Sequence, residues 1–321
     1  MKVLPEGLAL LLLFIGEHPL LSGGQLARCF GVRVRDIQPR LKALYNRGLI
    51  DQIRKLHPKH DPLYRASLAG LHQIGEKRLL APQYLEMIGL AGDVPLEERK
   101  RHWDHDCTVN DLMSRAVGDA HVLNAHGRHL HVDWTPTCLL DDLFAGTRKV
   151  YFDAVLTIHD GFPEPKTVVR WGVEFATGSY DVPKEGSVDE NPQTYQLRDR
   201  LRFLRQRPIE WPGKGRPVWL PRYPWMGLLV IARGEAAFDG VRRAFESASR
   251  NVDLDAAEPN VLFALESAIE RYGVLPRPAA FWPQRRTDFT VSPLDYMAWM
   301  LLKPARLKSL WTYPLLLDRC V

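Results

Sequence analysis

Closely spaced cysteines are absent from this chain of 321 residues, which contains four cysteines in all. Cys29, Cys107, Cys138 and Cys320 lie far apart, and none of them forms a CxxC pair. Zinc ribbons and disulfide frameworks need such pairs, so the sequence argues against both classes. Scattered thiols are typical of proteins in a reducing compartment, and we therefore expect a cytoplasmic protein.

The amino-terminal part of the chain has no apolar run long enough to cross a membrane. The run at residues 8–15 is far shorter than the roughly 20 apolar residues that a spanning helix needs. No cleavage site with small residues follows it, which argues against a secretory signal. We expect a buried first helix here and no membrane partner.

Several motifs of common enzymes are also missing. The chain has no P-loop, no GxGxxG, no Ser-His-Asp signature and no paired-histidine motif of rolling-circle relaxases. It does have the means to fold, because 45% of its residues are apolar and 10% are aromatic. Its length suggests about two domains.

Positive charge is concentrated in one short segment. Residues 33–60 contain eight basic and two acidic residues, whereas the whole chain has a formal net charge of only +5. The rest of the chain is therefore slightly acidic. Such a concentration is typical of an element that binds nucleic acid.

The same segment follows a helix-turn-helix pattern. Ser22 and Gln25 have the spacing of a capping box, which predicts a helix over residues 25–30. After a short turn, apolar residues at positions 37, 41 and 44 predict a further helix over residues 35–47. Two helices joined by a tight turn, the second rich in Arg and Lys, are typical of DNA-binding proteins.

A predicted β-hairpin follows this pair of helices. Residues 49–56 and 63–68 can pair as two strands around a turn that contains Pro58 and Pro62. Together with the L-x-x-L-x-x-x-G-L-I pattern of residues 41–50, this order resembles the winged-helix family. The resemblance implies a winged helix-turn-helix domain that binds double-stranded DNA, although some winged helices bind protein instead.

The predicted DNA-binding residues lie on the side of the third helix opposite its apolar stripe and in the wing. Arg and Gln can read base edges in the major groove, whereas Lys and the wing residues suit phosphates. The predicted set is Arg33, Arg35, Gln38, Lys42, Asn46, Arg54, Lys55 and Lys59.

Strands dominate the prediction for the second half of the chain. We predict a hairpin from residues 122–125 and 130–134, then strands at 150–158, 167–175 and 226–232, and a last strand and helix over 260–272. Helices are predicted at 193–206 and 238–249. The fold class is α+β: a winged helix-turn-helix domain (1–75), a linker (76–101) and an α/β domain with a mixed sheet (102–321).

The overall arrangement resembles the bacterial replication-relaxation family of plasmids and other mobile elements. The resemblance covers most of the chain: a winged helix, a helix with His105, Asn110 and Asp111, a strand with Asp153 and a strand with Glu174. The same order is similar to the core of the PD-(D/E)xK nucleases. It implies a nuclease-like carboxy-terminal domain.

The nuclease resemblance assigns catalytic and metal-binding roles to two carboxylates. Asp153 and Glu174 would hold Mg²⁺, which would activate water for phosphodiester cleavage. Such nucleases place a lysine two residues after the second carboxylate, but this chain has Ala176 there. A further metal hypothesis concerns His102, His105 and Asp106. Because the lysine is missing, we expect a scaffold without catalytic activity.

The sequence therefore favours a non-enzymatic factor that binds double-stranded DNA in the replication, mobilisation or regulation of a mobile element. Its partners would be DNA and other replication or mobilisation proteins, with a homodimer as a further alternative. Two rivals are a Mg²⁺-dependent DNA endonuclease or nickase that uses Asp153 and Glu174, and a winged-helix transcriptional repressor.

Overall fold

A computed structural model describes residues 4–53, 61–91, 96–137, 139, 152–160, 167–176, 225–238, 240 and 261–275. The chain is α+β, as predicted, with helices and two separate sheets. The amino-terminal part contains α1 (Glu6–Glu17), β1 (Leu21–Ser22), α2 (Gly23–Cys29), α3 (Val34–Asn46), β2 (Ile50–Ile53), β3 (Leu63–Ala66) and α4 (Leu68–Ile74). None of the described helices has the length and apolar character needed to cross a membrane.

The small sheet of the amino-terminal part has three antiparallel strands in the order β1-β3-β2. Ser22 and Gln25 form the predicted capping box of α2: the Ser22 Oγ accepts the Gln25 N–H at 3.2 Å, and the Gln25 Oε1 accepts the Ser22 N–H at 2.7 Å. The predicted apolar stripe of α3 is buried. The helix pair and the two strands after it are thus confirmed, and β3 ends at Ala66, two residues before its predicted end.

The predicted linker, residues 76–101, contains regular structure. A 3₁₀ helix (Lys77–Leu80) and α5 (Pro82–Met87) lie within it, and Leu79 and Tyr84 are buried. A helix of 30 residues, α6 (Leu96–Ala125), begins before the predicted end of the linker.

The predicted hairpin at residues 122–134 is wrong in its first strand. Residues 122–125 are the last turn of α6, and the chain leaves the helix through Gly127 at a φ of +88°. The Asn124 side chain then joins the end of the helix to the next strand, because its Oδ1 accepts the Leu130 N–H at 2.7 Å. A run of four residues before a glycine fits either structure, and the long helix that precedes it decides the outcome.

The larger sheet has five strands in the order β4-β5-β6-β7-β8. They are β4 (Leu130–Pro136), β5 (Ala154–Asp160), β6 (Thr167–Ala176), β7 (Trp225–Ala232) and β8 (Val261–Leu265), followed by α7 (Glu266–Tyr272). The first three strands are an antiparallel meander, and β7 and β8 run parallel to β6. The predicted strands at 130–134, 167–175 and 226–232 and the final strand and helix are confirmed. The helix predicted at 193–206 lies outside the described residues, as does most of 238–249.

One hydrophobic core extends from the amino-terminal helices to the larger sheet. It contains Leu26 of α2, Leu112 and Met113 of α6, and Trp134 and Phe175 of the sheet. The helix α6 therefore packs on α2 and on β4 at the same time. Cys29 and Cys107, the two cysteines among the described residues, are buried.

Candidate functional site

The outer side of α3 is open to solvent. Ile37, Leu41 and Leu44 are at most 1% exposed, so the helix presents the rest of its circumference outward. We call this surface the α3 face. Its exposed charged, polar and aromatic residues are Arg33, Arg35, Asp36, Gln38, Arg40, Lys42, Tyr45, Asn46 and Arg47.

Five of the predicted DNA-binding residues lie on the α3 face. Arg33, Arg35, Gln38, Lys42 and Asn46 are all exposed. The other three, Arg54, Lys55 and Lys59, lie outside the described residues. The strands that lead to them, β2 and β3, pair with each other next to α3.

The charges of the α3 face divide into two groups. Asp36 contacts two arginines, with 2.8 Å between its Oδ2 and the Arg33 Nε and 3.8 Å between its Oδ1 and the Arg35 Nε. Within the described part of the chain, no carboxylate lies within 4.0 Å of Arg40, Lys42 or Arg47. These three cations are available to an anionic partner.

The end of the Gln38 side chain lies close to Gly23 at the start of α2. A Cβ atom at Gly23 would lie 2.6 Å from the Gln38 Nε2, which is closer than real Cβ contacts come. The glycine at the start of α2 thus leaves room for the Gln38 side chain while Gln38 stays exposed.

The helix α6 holds α2 through a set of polar contacts. Arg28 donates to the Asp111 Oδ1 at 3.1 Å and to the Ser114 Oγ at 2.8 Å, and Asn110 donates to the Pro19 carbonyl at 2.9 Å. Burial raises the pKa of Asp111, but the guanidinium groups of Arg115 and Arg28 outweigh it and lower that pKa overall. Asp111 of the predicted His-Asn-Asp helix therefore fixes α2 to α6, and Asn110 fixes the segment between α1 and β1 to α6.

Asp153 lies immediately before β5, where the antiparallel ladder with β6 ends. Its N–H donates to the Val173 carbonyl at 2.9 Å, and its Oδ2 accepts the Phe175 N–H at 2.7 Å. The Asp153 carboxylate thus accepts the Phe175 N–H at the point where the strand no longer supplies a backbone carbonyl. Such a contact satisfies a backbone donor that would otherwise be buried without a partner.

His105 of α6 lies beside this carboxylate. Its Nε2 is 3.5 Å from the Asp153 Oδ2, and its Nδ1 is 3.7 Å from the Asp106 Oδ1. Burial lowers the pKa of His105, but the two carboxylates outweigh burial and raise the pKa to about 10. The imidazole is therefore a cation at neutral pH, and it lies directly beside the Asp153 carboxylate.

Glu174 is buried, and its side chain lies on the other face of the sheet from α6. Its neighbours Val173 and Phe175 belong to the core shared with α6, and Phe175 contacts the His105 ring at a centroid distance of 5.8 Å. Because side chains alternate along a strand, Glu174 points the opposite way. Asp153, just before β5, thus points toward α6, whereas Glu174 of the adjacent strand β6 points to the other face of the sheet.

These residues fit a divalent cation poorly. Asp153 is engaged by a backbone N–H and a charged imidazole, and Ala176 supplies no polar group. No three His, Cys, Asp or Glu side chains are grouped as ligands for one ion in the part of the chain that the structure describes. His102, named in the further metal hypothesis, lies in α6, whereas its side chain is outside the described part.

A small cleft separates this cluster from the amino-terminal part. Its volume is about 30 Å³, and its lining includes Leu20, Ile88, Asp106, Asn110 and Asp153. That space holds roughly two water molecules, since one needs about 10–15 Å³ on the same measure. It is too small for a nucleotide.

Sequence reasoning missed three of these contacts. The ion pair of Arg33 with Asp36 has a local signal, because opposite charges three residues apart meet on one side of a helix. The contacts of Arg28 with Asp111 and of His105 with Asp153 have none, since the partners are distant in the chain. Comparison with protein families, with curated proteins and with solved structures gives no match to this chain.

Proposed function

We propose that this protein binds double-stranded DNA through the α3 face. The observation that carries the proposal is the exposure of the basic residues of α3, with Arg40, Lys42 and Arg47 free of carboxylate partners among the described residues. Exposed cations on one helix suit the phosphates of a duplex.

The order of the elements supports a winged helix. Three helices, a sheet strand between the first two, and two further strands after the third follow each other as α1-β1-α2-α3-β2-β3. In such a domain the second helix of the helix-turn-helix enters the major groove, and the hairpin lies against the backbone.

Distinct roles for the residues follow from their chemistry. Arg35 and Gln38 lie near the amino-terminal end of α3, where recognition helices contact base edges, and both residue types form bidentate contacts with bases. Arg40, Lys42 and Arg47 are assigned to phosphates, which position the protein without reading sequence.

The salt dependence of DNA affinity tests this proposal. We expect a steep fall in the affinity of the whole chain for a duplex as salt rises, and a slope that is smaller by about 2 in an Arg40→Ala/Lys42→Ala variant, which lacks two of the cations assigned to phosphates. Lys42→Ala alone is compared with Lys77→Ala, which removes one exposed cation from the 3₁₀ helix instead. Equal slopes for wild type and the double variant would contradict the proposal.

The biological role that we propose is replication, mobilisation or regulation of a plasmid or other mobile element. It rests on the resemblance to the replication-relaxation family; in this role the DNA-bound protein would contact another replication or mobilisation component through its second domain. Footprinting on the DNA around the gene separates this role from a repressor. A protected palindrome at the gene's own promoter would favour the repressor.

For the larger sheet we propose a nuclease-like scaffold that does not cleave DNA. An antiparallel meander followed by a parallel strand, with Asp153 before β5 and Glu174 in β6, supports the scaffold. The charged His105 beside Asp153, the opposite direction of Glu174 and the alanine at position 176 argue against cleavage. Supercoiled plasmid incubated with Mg²⁺ or Mn²⁺ should stay intact. Nicking that is lost in Asp153→Asn would establish the nuclease instead.

A further inference from the structure

The amino-terminal end of the α3 face carries a carboxylate on a surface that is otherwise basic. Asp36 contacts both Arg33 and Arg35, and its side chain is 40% exposed, against 67% and 71% for the two arginines. All three side chains lie on the side of α3 that the proposed function places against DNA. The middle and the carboxy-terminal end of the face have no such pairing among the described residues.

A phosphate that approaches Arg33 must compete with this carboxylate. The contact between the Arg33 Nε and the Asp36 Oδ2 is 2.8 Å long, a normal length for a charge-assisted hydrogen bond. The negative charge also repels any phosphate nearby. Sequence-independent affinity depends on the number of phosphates that cations neutralise, so Asp36 subtracts from that number.

Arg35 is held less tightly than Arg33. Its Nε lies 3.8 Å from the Asp36 Oδ1, beyond hydrogen-bonding distance. The guanidinium of Arg35 can therefore turn away from Asp36 when a better partner is present. A guanine edge offers two hydrogen-bond acceptors in the geometry that a guanidinium matches. A phosphate that binds Arg35 must also overcome its repulsion by the Asp36 carboxylate.

We infer that Asp36 is a specificity-determining residue, which weakens the binding of the α3 face to the phosphate backbone irrespective of sequence. The inference rests on the proposed function, because it assumes that this face meets DNA. In this view the two arginines at the start of α3 are restrained by Asp36, and the cations farther along α3 supply the general attraction.

The test is Asp36→Asn in the whole chain, with duplexes of several unrelated sequences titrated at a series of salt concentrations. We expect affinity for every duplex to rise about three- to tenfold at low salt, with a salt slope larger by about 1. Glu86→Gln is the matched control, because it removes one exposed negative charge on α5, away from α3. That control should leave affinity within about twofold of wild type.

A second substitution at position 36 and a second parent sequence distinguish a loss of charge from a loss of folding. Asp36 lies in the first turn of α3, where a carboxylate also favours the helix, so Asp36→Ser is measured alongside, with circular dichroism of both. In an Arg33→Gln/Arg35→Gln background, the gain from Asp36→Asn should fall to less than half. An undiminished gain there would show that the arginines are not involved and would overturn the inference.

The outcomes also distinguish the inference from the proposed function. If wild type binds duplexes and folded Asp36→Asn binds them no better, the inference is wrong and the proposed function stands. A gain confined to one sequence would mean that Asp36 contacts a base, which also overturns the inference. If wild type binds none of the duplexes at low salt, both fall.

Discussion

The α3 face and the carboxylate cluster around Asp153 are both rich in charge, but they differ in what surrounds those charges. On the α3 face, three cations point into solvent without carboxylate partners among the described residues. In the cluster, Asp153 is bound by the Phe175 N–H and lies beside the charged His105. A charge is available to a ligand only where the fold leaves it uncompensated. On that criterion the first region is suited to binding and the second to holding the sheet and α6 together.

The largest expected effect is loss of stability when the cluster is broken. Asp153→Ala leaves the Phe175 N–H and the His105 cation without their shared partner. We expect it to lower the free energy of unfolding by about 3 kcal/mol, measured by urea denaturation. Asp153→Asn keeps an oxygen acceptor for the N–H and should cost less. If Asp153→Ala is as stable as wild type, these contacts of Asp153 do not stabilise the fold.

Removal of the three cations without carboxylate partners should weaken DNA binding and leave stability nearly unchanged. An Arg40→Ala/Lys42→Ala/Arg47→Ala variant is expected to lose DNA affinity by a factor on the order of 100 and to have a salt slope smaller by about 3. Its midpoint of thermal unfolding should stay close to that of wild type, because these side chains are exposed. A large fall in that midpoint would show that the α3 face also has a structural role.

A smaller effect is expected on the pH dependence of stability. The pKa of His105 in the folded protein is raised to about 10, above its unfolded value of about 6.5. Its contribution is therefore complete below the unfolded pKa and is lost as pH rises from there through about 10. We expect wild type to lose more stability than His105→Gln between pH 7 and pH 10 in denaturant titrations. Parallel curves would contradict the assignment.

The smallest expected effect lies at the junction of the two regions. Arg28→Ala removes the contacts of α2 with Asp111 and Ser114, but the Arg28 side chain is 34% exposed. We expect a loss of about 0.5–1 kcal/mol in unfolding free energy. A few-fold loss of DNA affinity should accompany it, since α3 is positioned by α2. Binding by fluorescence anisotropy and unfolding by urea measure the two on the same sample.

Local patterns made much of the amino-terminal part predictable from sequence. The capping box at Ser22 and the stripe of Ile37, Leu41 and Leu44 depend on neighbours within one or two helical turns, and both are as predicted. The strands at residues 167–175 and 226–232 are long enough for their composition to distinguish a strand from a helix. The first strand of the predicted hairpin failed because four apolar and small residues fit the end of a helix equally well.

The candidate site was only partly predictable, because its decisive features depend on distant parts of the chain. The identity of Asp153 and Glu174 was visible in the sequence, but the direction of each side chain depends on the register of β5 with β6 and on how α6 packs. Exposure of the α3 face followed from periodicity alone. The attachment of α2 to α6 did not, since nothing near Arg28 indicates Asp111.

The shared core around α6 has a consequence for how the protein can work. With 30 residues at about 1.5 Å each, α6 is a rod roughly 45 Å long that packs on both α2 and β4. A duplex held by α3 would therefore have a fixed orientation relative to the five-stranded sheet. A second macromolecule bound to that sheet would lie at a fixed distance and angle from the DNA. The amino-terminal helices and the five-stranded sheet would then move together as one unit.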